Sequence, residues 1–95
     1  MSEAPVSVIR RHVIVTGRVQ GVWFRHSCTE EATAAGVSGW VENTADGRVE
    51  AVFEGEPDAV GRLVAWCHHG PPRATVTGVE VRDEPPRGER TFRSR

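Results

Sequence analysis

The run Gly17-Arg18-Val19-Gln20-Gly21-Val22-Trp23-Phe24-Arg25 brings together residue types that can hold an anion. An apolar segment with strand character precedes it, and a segment with helical character follows. Two glycines four residues apart let the chain curl so that successive backbone N–H groups point inward. The positive end of the following helix adds to the field there. Arg25 is placed to close on such an anion with two parallel, charge-assisted hydrogen bonds. A strand, a tight glycine loop, a helix start and one arginine make a receptor for a single phosphate group. The same pattern also occurs as an ordinary strand-to-helix turn with a solvated arginine. The familiar nucleotide loops do not fit. A P-loop needs a lysine, and all 12 basic residues here are arginine. The dinucleotide fingerprint needs a third glycine and a parallel βαβ unit with an acidic residue downstream.

Asn43 is the second candidate, and it is the only asparagine in the chain. It stands at the end of an apolar-polar segment, just before the turn signal Asp46-Gly47. Its amide carries both a donor and an acceptor, so it can hold a water on the open side of a bound phosphate. An asparagine before a turn also commonly satisfies its own backbone. Both readings of Asn43 stand on local pattern alone.

The elements that must position these residues follow from periodicity. Residues 8–16 are rich in β-branched side chains and predict a first strand. Residues 23–35 predict a helix, with Phe24, Cys28, Ala32 and Ala35 on one face and Gly36 as its stop. Residues 37–44 predict a second strand and residues 48–54 a third. In the third, Val49, Ala51 and Phe53 alternate with Arg48, Glu50 and Glu54, the pattern of a half-buried antiparallel strand. Pro57 fits the first position of a second helix, whose inner stripe is Val60, Leu63, Val64 and Cys67 and which Gly70-Pro71-Pro72 ends. Residues 75–82 predict a fourth strand, and residues 91–93 a short edge strand after Pro85-Pro86. The order βαββαβ predicts an α+β ferredoxin-like sandwich: one open antiparallel sheet, both helices on one face, and a short extra C-terminal strand. With the first and third strands central, the second lies at the edge with its end near residues 20–25. Residues 1–7 form a loose polar lead to a single domain spanning residues 1–95.

Composition narrows the classes of function. A 38% hydrophobic content in 95 residues supplies one core between a sheet and one helical layer. The net charge of −1 gives no electrostatic case for nucleic acid or an anionic membrane surface. No apolar run approaches the length of a membrane span, and no signal peptide is evident, so a cytoplasmic location is expected. Cys28 and Cys67 have neither disulfide-framework nor zinc spacing, and both fall on apolar helix stripes as small buried side chains.

The run 17–25, followed by Gly39-Trp40-Val41-Glu42-Asn43-Thr44 and Asp46-Gly47-Arg48-Val49-Glu50, resembles the acylphosphatase family. The resemblance continues through Gly55 and the segment from Trp66 to Pro72 and ends with Phe92-Arg93. It covers nearly the whole chain, and the two motif blocks together are highly specific. Trp23 departs from the family's more usual smaller or different aromatic; His68-His69 and the Arg-rich tail are not hallmarks. The resemblance implies the ferredoxin-like fold and hydrolysis of an acyl phosphate to a carboxylate and inorganic phosphate. It implies catalytic roles for Arg25 and Asn43, with a phosphate-binding loop of Gln20, Gly21, Val22, Trp23, Phe24 and Arg25. It implies no metal and no cofactor, and a small-molecule acyl phosphate as the partner of a monomer.

Competing uses of the other reactive side chains are weaker. Cys67-His68-His69 lacks a spaced metal-ligand partner, and helix-end histidines are favourable to the negative end of the dipole. His26 can pair with Glu30 four residues on. Glu30, Glu31, Glu42 and Glu50 read as solvated faces, and Trp23 and Trp40 can pack on the sheet or flank an acyl pocket. A non-catalytic acyl or carbamoyl phosphate-binding module is the alternative function. An RNA-binding sheet of this topology would need a basic-aromatic strand that the third strand lacks.

Overall fold

A computed structural model describes residues 7–95 of the chain. The expected loose lead, apart from the exposed Ser7, lies outside the described residues. The elements run β1 (Ile9–Arg18), α1 (Phe24–Ala35), β2 (Ser38–Asn43), β3 (Val49–Gly55), α2 (Pro57–Cys67), β4 (Thr75–Glu84) and β5 (Phe92–Ser94). The sheet order is β4-β1-β3-β2-β5. β1 pairs antiparallel with β3 and β4, and β2 pairs antiparallel with β3. The fold is the α+β ferredoxin-like sandwich that the element order implied.

Alternation in the strands decides which face the helices cover. Val13 and Val15 of β1, Val41 of β2, and Val49, Ala51 and Phe53 of β3 are fully buried against Phe24, Cys28 and Ala32 of α1 and Ala59, Val60, Leu63 and Cys67 of α2. Both inner helix stripes are thus the ones periodicity marked. Pro57 opens α2 with Asp58 in its first turn, and Gly36 closes α1 in a left-handed conformation, φ 71°.

Three expectations are corrected. The sheet is mixed, because β5 pairs parallel with β2, with Gly39 opposite Phe92 and Val41 opposite Ser94. β2 is therefore covered on both sides, and Phe92 stacks on Phe53 with ring centroids 5.8 Å apart. A three-residue strand carries too little pattern to announce its partner.

Gly17 does not curl the loop either. It lies within β1 at a bulge, where a Cβ would stand 2.1 Å from the Thr75 carbonyl oxygen. Only a glycine permits that approach of β1 to β4.

The helix-free face, finally, is not a row of solvated charges. Arg10 and Glu54 are only 4% and 3% exposed and pair at 3.2 Å. Arg10 also reaches Glu84 at 2.8 Å and Glu89 at 2.9 Å. Glu54 accepts the N–H groups of Arg87, Gly88 and Glu89, each at 2.8 Å. Residues 85–89 thereby fold back over this face. Glu50, expected in solvent, bonds His12 at 2.5 Å, while Glu84 takes the other ring nitrogen at 3.1 Å.

Candidate active site

The segment between β1 and α1 is held from both ends. Val19 and Val22 are buried in the core, and so is Phe24, whose ring meets Trp66 of α2 at 5.1 Å. Gly70 lies directly under that ring: a Cβ there would sit 2.6 Å from the Phe24 ring. Gly21 takes the left-handed conformation, φ 74°, and so does Trp23, φ 68°. Trp23 is the only non-glycine residue with positive φ among the described residues, a conformation that costs a bulky side chain about 1–2 kcal/mol. Through these turns residues 20–25 run tightly, and none of the backbone turn and loop hydrogen bonds among the described residues uses their N–H groups. They run into the first turn of α1, where the helix dipole is positive.

Gln20 uses its side chain otherwise than as an anion ligand. Its amide nitrogen donates to the carbonyl oxygens of Thr44, at 2.8 Å, and Arg48, at 2.9 Å. The amide thus clamps the loop to the β2–β3 hairpin, the element that carries Asn43. Nothing in the spacing of the sequence announced this clamp.

The hairpin meets its own needs through Thr44. The Thr44 N–H donates to the Arg48 carbonyl at 2.8 Å, and its hydroxyl accepts the Arg48 N–H at 2.9 Å and also bonds Asp46. Arg48 adds a two-pronged contact to Asp46 at 2.7 and 3.0 Å. Arg48, with the Thr44 hydroxyl, holds the Asp46 carboxyl down at about 2. Thr44 thus occupies the turn role that asparagine often takes, and Asn43 is left exposed at the end of β2.

One cleft of about 500 Å³ gathers the candidates: Gly21, Trp23, Phe24, Arg25 and Asn43 line it together with His26 and Ser94. Gln20 and Val22 do not line it, since their side chains go to the hairpin and the core. Arg25 is exposed, and its Nη1 donates to the main-chain oxygen of Arg95 at 3.0 Å. The Arg95 N–H in turn donates to the Val41 carbonyl at 2.8 Å, so the strand that ends at Asn43 also holds this contact. The Arg95 guanidinium turns to the helix-free face and stacks 4.4 Å over Trp40. Trp40 therefore packs on the sheet beside His12, whereas Trp23 stands at the cleft.

The remaining reactive groups lie elsewhere. Cys28 and Cys67 are fully buried free thiols, and the Cys67 sulfur together with burial pushes the Cys28 thiol well up. His68 caps the end of α2 in solvent, its Nδ1 3.0 Å from the Val64 carbonyl. His26 pairs with Glu30 at 3.3 Å, as its spacing implied. Among the described residues no group of three or more His, Cys, Asp or Glu side chains is arranged to hold a metal ion. The His12 cluster illustrates why: its two carboxylates bond opposite ring nitrogens and do not converge. No described helix is long and apolar enough to cross a membrane.

Comparison with known proteins identifies the family and the fold. The acylphosphatase family model matches residues 11–94. An acylphosphatase from Rubrobacter xylanophilus is 65% identical over 79 residues, which span 83% of this chain and 72% of that protein. Among solved structures, an acylphosphatase from Coxiella burnetii superposes with a TM-score of 0.89 at 39% identity, over 93% of each chain. One from Bacillus subtilis gives 0.87 at 37% identity, over 90% of this chain and 97% of that one. The chain belongs to the acylphosphatase family, hydrolases of the acid anhydride between a carboxylate and phosphate.

Proposed function

We propose that Arg25, the N–H groups of residues 20–25 and Asn43 carry out the acyl phosphate hydrolysis that family membership assigns to this chain. The observation that carries the reading is that Arg25, the loop and Asn43, from different elements, line one cleft. An arginine side chain stays cationic at any working pH and offers a planar fork of donors. With the loop amides it holds the phosphoryl oxygens and offsets their charge as the bond to the acyl oxygen lengthens. The Arg95 oxygen now bonded to Arg25 occupies one arm of that fork.

Asn43 orients water in line with the leaving carboxylate, a positioning effect. The water oxygen bonds to phosphorus, and the electron pair of the breaking P–O bond leaves with the carboxylate. A phosphoryl oxygen accepts the proton, so the products are carboxylate and dihydrogen phosphate. A carboxylate leaves readily, and the loose transition state asks little of a base. The positive field of Arg25 and the amides takes the place of a metal ion. One chain supplies every group, which supports action as a monomer on a small molecule. Its free, buried thiols suit the cytoplasm. Asn43→Ala is expected to lower kcat by about 10²–10³, as for other single polar groups at a reacting centre. An Asn43→Ala protein that is folded and fully active would remove Asn43 from the mechanism.

A further inference from the structure

Trp23 is placed where neither the core nor the backbone asks for it. Its side chain is 71% exposed, so packing does not account for it. Its φ of 68° is one that glycine adopts freely and a bulky residue rarely does. Strained positions of this kind gather at functional sites. The ring lines the same cleft as Arg25 and Asn43, and it meets the His26 ring edge-to-face, with centroids 5.9 Å apart at 74°. His26 is itself exposed and pairs with Glu30 at 3.3 Å.

The volume of the cleft bears on what these rings do. Clefts of about 300–1,000 Å³ take whole small molecules, and this one is about 500 Å³. A phosphoryl group held at residues 20–25 leaves most of that space for the acyl part. The Phe24 ring is buried against Trp66, so Trp23 and His26 are the exposed aromatic surface available to it, and no Asp or Glu side chain lines the cleft among the described residues.

We infer that the Trp23 and His26 rings form the acyl-binding wall, and that the chain favours acyl phosphates whose acyl group presents a flat apolar face. The inference rests on the assignment of Arg25 and the loop to the phosphoryl group. Aromatic pairs gain from edge-to-face or offset stacking beyond simple area burial, which a benzoyl group can exploit and an acetyl group cannot.

The test is the ratio of kcat/KM for benzoyl phosphate to that for acetyl phosphate, measured in wild type, Trp23→Ala, Trp23→Phe and His26→Ala. Comparing that ratio between proteins cancels the intrinsic reactivities of the two substrates. Trp23→Ala is expected to lower the ratio by about 2- to 12-fold, the span of aromatic-pair energies at tenfold per 1.4 kcal/mol. The loss should appear in KM for benzoyl phosphate, with Trp23→Phe restoring most of the ratio. His26→Ala is expected to lower it about twofold or more, and it decides the matter if Trp23→Ala does not fold. A ratio unchanged in the folded variants overturns the acyl wall. Arg25→Gln separates the two failures. If it abolishes turnover of both substrates while the Trp23 and His26 ratios stay flat, only the acyl wall is lost. If it leaves both substrates' turnover intact, the phosphoryl assignment falls and the acyl wall with it.

Discussion

The Gln20 amide is the clamp between the two halves of the site, and its removal has a calculable cost. Gln20→Met keeps the length of the side chain and deletes both donors. Two hydrogen bonds of 2.8 and 2.9 Å are lost, each worth about 0.5–1.5 kcal/mol net. The carbonyls left behind are not orphaned. Thr44 O still accepts from the Gly47 N–H at 3.2 Å, and Arg48 O from the Thr44 N–H at 2.8 Å. The desolvation penalty of an unpaired buried acceptor is thereby avoided, and the total stays at about 1–3 kcal/mol. For a chain of this size that lowers Tm by about 4–24 °C. The same change frees the hairpin to drift from the loop, which would weaken the water-positioning role proposed for Asn43. Thermal unfolding followed by circular dichroism reads the first effect. Steady-state kinetics on benzoyl phosphate read the second, with kcat expected to fall more than the affinity for inorganic phosphate as a competitive inhibitor. A Gln20→Met protein with wild-type Tm and wild-type kcat would refute the clamp.

Three more predictions come from the buried groups. Burial alone would raise the Glu54 carboxyl. The N–H groups of Arg87 and Glu89, the Arg10 guanidinium and the Gly88 N–H outweigh it and hold the group below its ordinary value. Glu84 is held down chiefly by Arg10. Because both folded values are depressed, their stabilisation is complete above the unfolded carboxylate range and drains away as pH falls below about 5. Urea unfolding midpoints should therefore drop from pH 5 to pH 3. Glu54→Gln should cost about 3 kcal/mol at pH 7, the lower end for a broken buried pair, because Arg10 keeps Glu84 and Glu89. A midpoint that is flat down to pH 3 contradicts this. Cys28, buried and with its thiol pushed up, should resist a thiol reagent in the native protein, and Cys28→Ala should keep turnover; rapid native labelling would place the thiol elsewhere.

The order of elements was legible because each long segment had a clear period. The α1 face from Phe24 to Ala32 and the alternation from Val49 to Phe53 both end up where patterning put them. The two motif blocks also marked the loop and Asn43. What sequence could not show was anything assembled from distant residues. The network on the helix-free face joins Arg10, Glu54, Glu84 and Glu89, and every one of them looks solvated in its own strand or loop. The parallel pairing of β5 depends on where residues 85–91 return. The division of labour between Asn43 and Thr44 depends on which side chain reaches Arg48, and local turn preference assigns that to either. Gly17 does not take the loop role suggested by its residue type. The close approach of β4 demanded the glycine at position 17, and the left-handed conformations of the loop fell at Gly21 and at Trp23.

The central claim is that one loop, one arginine and one asparagine hydrolyse an acyl phosphate without a metal. Benzoyl phosphate hydrolysis in the presence of a chelator, compared among wild type, Arg25→Gln and Asn43→Ala, tests it most directly. The expected result is chelator-resistant turnover in wild type that collapses in both folded variants. Inhibition by inorganic phosphate should weaken mainly in Arg25→Gln, which loses a charge-assisted contact of about 1.5–3 kcal/mol. Folded wild type that binds phosphate but turns nothing over, or variants as active as wild type, would contradict the account.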